Sequence, residues 1–264
     1  MDLKILAKPI GLRVAASMSV AVALLGGAPR GHAAEIRILS AAAMQSVFKE
    51  IGGAFERASG HRLIFHYGTI GAINQWVMGG EEADLVIGST LSMPALVKAG
   101  KIDAASTVAI CKVGAGVVVP AGNPKPAIAS AEDLKRALLA AKFIVFADPV
   151  RGGAAGIHIA GVIDKLGITE QTRPKTRLGA SGDITEVTLA LGDGALGMTQ
   201  ISEIAQKPGA ELVGPLPAEF QNTTTFMAGT PAGAEPWGPV AAFLAFLKSP
   251  AAAAVIMAKG MQTE

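Results

Sequence analysis

Four short segments combine small and hydroxyl residues where a β-like run gives way to a helix-like one: Ser40 to Ala43, Gly68 to Gly71, Pro149 to Ala155 and Ala180 to Asp183. Small residues let a bound molecule approach the backbone closely. The start of a helix presents unpaired N–H groups and a partial positive charge, which suits an oxyanion. Any one such loop reads equally well as tight packing; four of them converging read as a cage for an anion. Ser40 and Thr69 supply the hydroxyls. Arg151 adds a guanidinium, whose planar fork fits a carboxylate or phosphate, although it reads equally as a solvated loop arginine. Ser89-Thr90, after a third strand, either completes such a site or caps the helix that follows.

Other chemistries find less support. His61 precedes a strand, His158 lies within a helix, and His66 ends a strand beside the Gly68 loop, from where it can reach a cleft. None has a partner at metal-ligand spacing, so neither metal nor cofactor is expected. No Gly-x-Ser-x-Gly elbow and no Gly-x-x-x-x-Gly-Lys-Ser/Thr loop occurs, which removes support for serine hydrolases and P-loop enzymes. Asp148 before Pro149 reads as a turn former and Asp183 as a helix-start residue. No residue is assigned a catalytic role. The single cysteine, Cys111, excludes an intramolecular disulfide and reads as a buried small apolar residue.

The elements that must position these loops follow from periodicity. Half of the 264 residues are apolar and 17% are charged, so the chain folds rather than remaining disordered. Glu35 to Leu39 reads as a strand, and Met44, Val47, Phe48, Ile51 and Phe55 as the stripe of a helix ending near Gly60. Strands follow at Arg62 to His66 and Asp84 to Ile87, with helices from about Ala72 to Met78 and Ser92 to Ala99. This spacing implies parallel strands with helical crossovers. Val108 to Val119 is one long β-like run stopped by Pro120. Beyond it come a helix capped by Ser130, strands at Phe143 to Ala147, Thr176 to Leu178 and Leu196 to Gln200, and helices from Ala154 and around Ile184 to Leu191. Glu211 to Gly214 and Thr223 to Gly229 lead back to a helical tail, Trp237 to Lys259, which restarts at Ser249-Pro250. The fold class is α/β: two lobes, mainly parallel sheets with helices on both faces, and a cleft between them. Residues 34–112 plus 222–264 form one lobe and 113–221 the other, with hinges around Ala109 to Gly114 and Ala218 to Thr224. Such a cleft is a natural ligand site.

Residues 1–33 read as a signal peptide. Lys4, Lys8 and Arg13 precede an apolar run from Val14 to Leu25, too short to span a bilayer, and Gly31-His32-Ala33 gives small residues at a cleavage site. Of the 23 basic and 21 acidic residues, that leader holds four basic and one acidic. Its removal leaves 19 and 20, a net charge of −1. A near-neutral exported protein with 5% aromatics is a poor nucleic-acid binder. The expected compartment is the periplasm.

An ordered set of motifs then stands out: Ser40-Ala41-Ala42-Ala43-Met44, Ala83-Asp84-Leu85-Val86-Ile87, Ala147-Asp148-Pro149 with Ala155-Gly156-Ile157, and Leu196-Gly197-Met198. In order and spacing this set resembles the periplasmic molybdate-binding protein family over essentially the whole mature chain. The resemblance implies a type II solute-binding fold that closes on a small oxyanion and delivers it to the membrane permease of an ABC importer, acting as a monomer. It also implies ligand contacts. The hydroxyl position of the first loop is Ala43 here, with the serine displaced to Ser40. The serine-rich second loop is Gly68-Thr69-Ile70-Gly71, leaving Thr69 and the neighbouring Ile70. The third loop contributes a backbone N–H from Ala154 or Ala155, and the fourth one near Ile184. The tyrosine that often ends the last strand is Gln200. These departures, with Arg151, Thr69, Gln200 and Ser89, point from molybdate or tungstate toward a small carboxylate. A second function stays open: an isomerase resembling aconitate isomerase, acting on a tricarboxylate, with His66, Asp148 or Asp183 as base.

Overall fold

The computed structural model describes residues 33–264, except 152, 181, 206, 235, 236 and 264. The leader expected over positions 1–33 therefore lies outside the described residues, apart from Ala33.

The chain begins as the alternation of apolar runs demands. Strand β1 (Glu35–Ala41) leads through a single tight turn into helix α1 (Gln45–Ser59). Val47, Phe48, Ile51 and Phe55 are buried along one face of α1, and Gly60 ends it in the left-handed conformation, φ 75°. A side chain there would be strained, and glycine is not. Strand β2 (Arg62–Gly68), helix α2 (Ile70–Gly79), strand β3 (Leu85–Ser89) and helix α3 (Met93–Lys98) follow. β1 pairs in parallel with both β2 and β3, as the strand–helix spacing requires.

Strand β4 (Val108–Pro120) is 13 residues long and serves two sheets. After it come α4 (Ala131–Ala140), β5 (Phe143–Ala147), α5 (Ala154–Lys165), the short α6 (Thr169–Thr172), β6 (Thr176–Gly179), α7 (Ile184–Leu191) and β7 (Ala195–Gln200). The chain then forms the one-turn α8 (Ile201–Ile204), β8 (Ala210–Pro215), β9 (Thr223–Gly229), α9 (Gly238–Leu247), α10 (Pro250–Ala258) and the short β10 (Gln262–Thr263). The Ser130 hydroxyl accepts from the Asp133 N–H, so the expected cap forms, and the Ser249 hydroxyl accepts from the Ala252 N–H, capping the helix that restarts at Pro250.

The strand order is β2-β1-β3-β9-β4-β7-β5-β6, with β8 and β10 also on β4. β5 pairs in parallel with β6 and β7. The parallel pairs are thus confined to two separate βα sets, and the strands that join them, β4 and β9, pair antiparallel to their neighbours. Val108 to Gly114 of β4 lies against β9, whereas Ala115 to Val118 lies against β7. One strand therefore passes from one sheet into the other.

Burial follows the same division. One apolar cluster joins Ile36, Ile38, Phe48, Ile87, Phe226 and Phe243; another joins Val117, Leu134, Ile144, Ile159, Leu196 and Met198. Phe55 meets Phe243 edge-on at 5.0 Å between centroids in the first. Cys111 is buried there with its sulfur 3.6 Å from that of Met44 and 3.5 Å from that of Met261, a packed apolar role.

At the crossing, Gln221 clasps β4. Its side-chain oxygen accepts from the Ala115 N–H at 2.9 Å, and its amide nitrogen donates to the Ala115 carbonyl at 3.0 Å. No single described helix is long and apolar enough to cross a membrane; α9 and α10 together have the composition but bend by 58° between them. Their faces carrying Val240, Phe243, Ala252 and Ile256 are buried in the first core.

Candidate functional site

Three chain segments bring their small residues to one place. Ala41, Ala42 and Ala43 arrive from the end of β1, and Gly68, Thr69 and Ile70 from the β2–α2 junction. Gly153, Ala154 and Ala155 arrive at the start of α5. With Gln200, Glu203 and Phe226 they enclose a small pocket of about 20 Å³. That space matches one or two water molecules.

Local sequence explains why each segment stops where it does. A Cβ on Gly156 would lie 2.2 Å from the Ala147 carbonyl oxygen, so only glycine lets the first turn of α5 press against the end of β5. A Cβ on Gly68 would lie 2.4 Å from the Trp76 ring, and glycine there lets α2 fold back on β2. Thr69 caps α2: its hydroxyl accepts from the Ala72 N–H at 3.0 Å. The same hydroxyl donates to the Arg151 carbonyl at 3.1 Å. α5 has no such cap, since its N-cap is Gly153, and neither the Ala41 turn nor α1 has a side-chain cap. Unpaired backbone N–H groups at uncapped helix starts are oxyanion donors.

The polar side chains in the wall are sparse. Gln200 is 7% exposed and Glu203 is 8% exposed. The Glu203 carboxylate accepts a hydrogen bond from the Thr199 hydroxyl, and no described residue forms an ion pair with it. Burial pushes its carboxyl up to about 7; the Thr199 hydrogen bond and Lys207 work against that rise, and the charges of Glu186 and Asp183 add to it. Two further bonds tie the segments around it together. The Ser202 hydroxyl donates to the Ala43 carbonyl at 3.1 Å, and the Ser46 hydroxyl donates to the Ser202 carbonyl at 3.2 Å.

Residues 36–262 match the family model described as bacterial extracellular solute-binding protein. The chain belongs to that family. An aconitate isomerase from a Pseudomonas species is 25% identical over 233 residues, covering 86% of this chain and 87% of that protein. The molybdate-binding protein ModA of Azotobacter vinelandii is 29% identical over 194 residues, covering 71% and 74%. The solved structure of an Azotobacter vinelandii periplasmic molybdate-binding protein superposes with a TM-score of 0.69 at 19% identity, over 87% of this chain and 99% of that one. The fold is therefore the α/β architecture of type II periplasmic binding proteins, and the solute-binding chain is molybdate-binding-like in its family relationship.

Within this solute-binding fold, six residues singled out from sequence meet in the pocket wall: Ala43, Thr69, Ile70, Ala154, Ala155 and Gln200. Four lie elsewhere. Ser40 is fully buried and donates toward the Ala41 carbonyl at 3.3 Å. Ser89 is fully buried in the tight turn that Ser92 closes by bonding back to it. Ile184 packs against Val145 and Ala147, beneath the α7 start rather than at the pocket. Arg151 is exposed on the surface loop and meets the site through its carbonyl.

The structure also places the other groups considered from sequence. His66 stacks on Trp76 at 3.9 Å and contacts Glu81 at 2.7 Å. His158 contacts the Phe220 carbonyl at 2.7 Å, and His61 accepts from the Ala34 N–H at 3.3 Å. Asp148 accepts from the Val150 N–H at 3.0 Å, the expected turn. Asp183 stands at the start of α7 with one buried carboxylate oxygen lacking a hydrogen-bond partner. Among the described residues no group of three metal-ligating side chains forms. Sequence reasoning passed over Glu203. Its only signal was a glutamate three residues beyond Gln200, where an apolar strand ends.

Proposed function

We propose that the mature protein is a periplasmic receptor that captures a small organic acid or oxyanion and passes it to the membrane permease of an ABC importer. The observation that carries this reading is the pocket itself: Ala42 and Ala43, at an uncapped turn after β1, and Ala154 and Ala155, at the uncapped start of α5, line it together, and Thr69 in the same wall is bonded to the Arg151 carbonyl. Backbone N–H groups of Ala154 and Ala155 and the Gln200 amide are the donors for the anion, which needs no net positive charge in the wall. Residues 34–112 with 222–264 act as one lobe and 113–221 as the other, with Gln221 and Ala115 at the crossing. The pocket is too small to admit a ligand as it stands, so capture requires the lobes to part and close again. Residues 1–33 direct export and are removed. Likeness to both a molybdate-binding protein and an aconitate isomerase supports small anions generally. Among the described residues of the wall, Thr69 carries the one side-chain hydroxyl, a donor set that favours carboxylates over tetrahedral oxyanions.

A thermal-shift screen tests this. Molybdate, tungstate, sulfate, phosphate and a set of di- and tricarboxylates are each added to the mature protein. A ligand at ~100 times its dissociation constant adds about 2.7 kcal/mol of stability. A shift with carboxylates supports the reading; a shift with molybdate and tungstate alone moves the ligand class; no shift with any anion sinks it.

One observation favours a second reading, an isomerase of a tricarboxylate. Glu203 is a buried acid titrating near neutrality in the pocket wall, which suits a general base for a proton next to a carboxylate. Incubation with trans-aconitate followed by proton NMR separates the two: a receptor returns it unchanged, an isomerase converts it.

A further inference from the structure

Glu203 sits between two spaces. On one side is the small pocket just described. On the other is a larger cavity of about 400 Å³ that opens outward, and its wall includes Ser46, Lys49, Glu186, Glu203, Lys207 and Lys259. Ala42 and Ala43 are the other residues common to both walls. The outer cavity is polar and roomy enough for water, so a proton can exchange with Glu203 from that side.

We propose that Glu203 couples anion capture to the uptake of one proton: protonated, it donates to an oxygen of the bound anion; ionised, it repels that anion. This rests on the receptor reading of the pocket. For a receptor, a carboxylate buried in an anion site either carries a proton or repels its ligand. Its one described hydrogen bond comes from the Thr199 hydroxyl on β7. Asp183 and Glu186, from the start of α7, face it with negative charge, while Lys207, beyond α8, faces it with positive charge that is already paired with Glu186. Lys49 of α1 reaches the outer cavity, as does Lys259 after α10, which is paired with Glu50. No described cation bonds the carboxylate directly, so bringing an anion beside the ionised form adds a second desolvated negative charge. Burial, which holds the carboxyl near neutrality in the free protein, makes the required proton available at little cost.

The test is calorimetric titration of the mature protein with trans-aconitate and with molybdate, both fully ionised between about pH 6.5 and 8.5, in two buffers of different ionisation enthalpy. We expect about one proton taken up per anion near pH 8, and affinity falling up to about tenfold per pH unit above neutrality. In Glu203→Gln both the uptake and the slope should vanish. Thr199→Val, which removes a hydrogen bond to the ionised form, should instead move the fall in affinity to higher pH and covers the case of a misfolded glutamine variant. Affinity that is flat with pH in the native protein, or a slope that survives in Glu203→Gln, overturns the inference while leaving the receptor reading intact. Failure of both probes to bind at any pH overturns that reading and the inference together.

Discussion

The Thr69 hydroxyl does two things at once: it accepts from the Ala72 N–H at 3.0 Å and donates to the Arg151 carbonyl at 3.1 Å. The same oxygen thus starts α2 and ties it to the loop before α5. Arg151 enters the site through its backbone, while its side chain stays exposed.

Thr69→Val therefore removes a helix cap and the bond to the Arg151 carbonyl together. It should destabilise by about 1–2 kcal/mol in urea unfolding, whereas Thr69→Ser should stay near the native value. A larger radius of gyration in solution scattering for the valine variant, and not for the serine one, would locate the second contribution in the bridge.

Arg151→Ala keeps the carbonyl that Thr69 uses. Anion affinity should change by less than about 1 kcal/mol, the scale of an exposed charge. A loss well beyond that, measured by titration with the best carboxylate from the screen, would show that the guanidinium reaches the ligand.

Glu203 makes stability depend on pH. Its carboxyl is raised from 4.5 to about 7 by burial, so the folded state holds a proton that the unfolded state has released. The contribution is fully present below pH 4.5 and declines as pH rises toward 7, by about 3 kcal/mol in all. Glu203→Gln should melt close to the native protein at pH 4.5 and several degrees higher at pH 8. Parallel melting curves across that range would show that the carboxylate is solvated or paired.

Gln221 holds the point where β4 changes sheets, through both polar groups of the Ala115 backbone. Gln221→Ala should cost about 1–2 kcal/mol and raise amide exchange at Ala115 more than at Val145 in β5. Uniform exchange at both would mean that the clasp carries no local role.

Gly156→Ala places a methyl 2.2 Å from the Ala147 carbonyl oxygen. The first turn of α5 must then move away from β5, at a cost of about 1–3 kcal/mol. Because Ala154 and Ala155 move with it, anion affinity should fall as well; unchanged affinity would argue against amide donors from this helix.

The α/β alternation was legible because its signals are local. The stripe Val47, Phe48, Ile51 and Phe55, the cap Ser130, the restart at Ser249-Pro250, and the stops at Gly60 and Pro120 act within a turn or two, and each lies where residue type predicts. The small-residue loops were legible for the same reason: Gly68 and Gly156 mark close backbone approach. Short elements such as α8 and β10, too brief for periodicity to show, were not.

What the tertiary structure alone decided is which of those loops meet. Ser40 and Ser89 have plausible types for a site, yet each is fully buried at the end of its own strand, because the strand pleat aims them inward. Glu203 is an ordinary residue in sequence. Folding removes its water and gives it one hydroxyl, on the wall between two cavities built from residues about 160 positions apart, such as Ala43 and Ser202. Periodicity reports which face of an element is apolar; the ionisation of a buried acid depends on every charge and dipole around it, and those are brought together only by the closed fold.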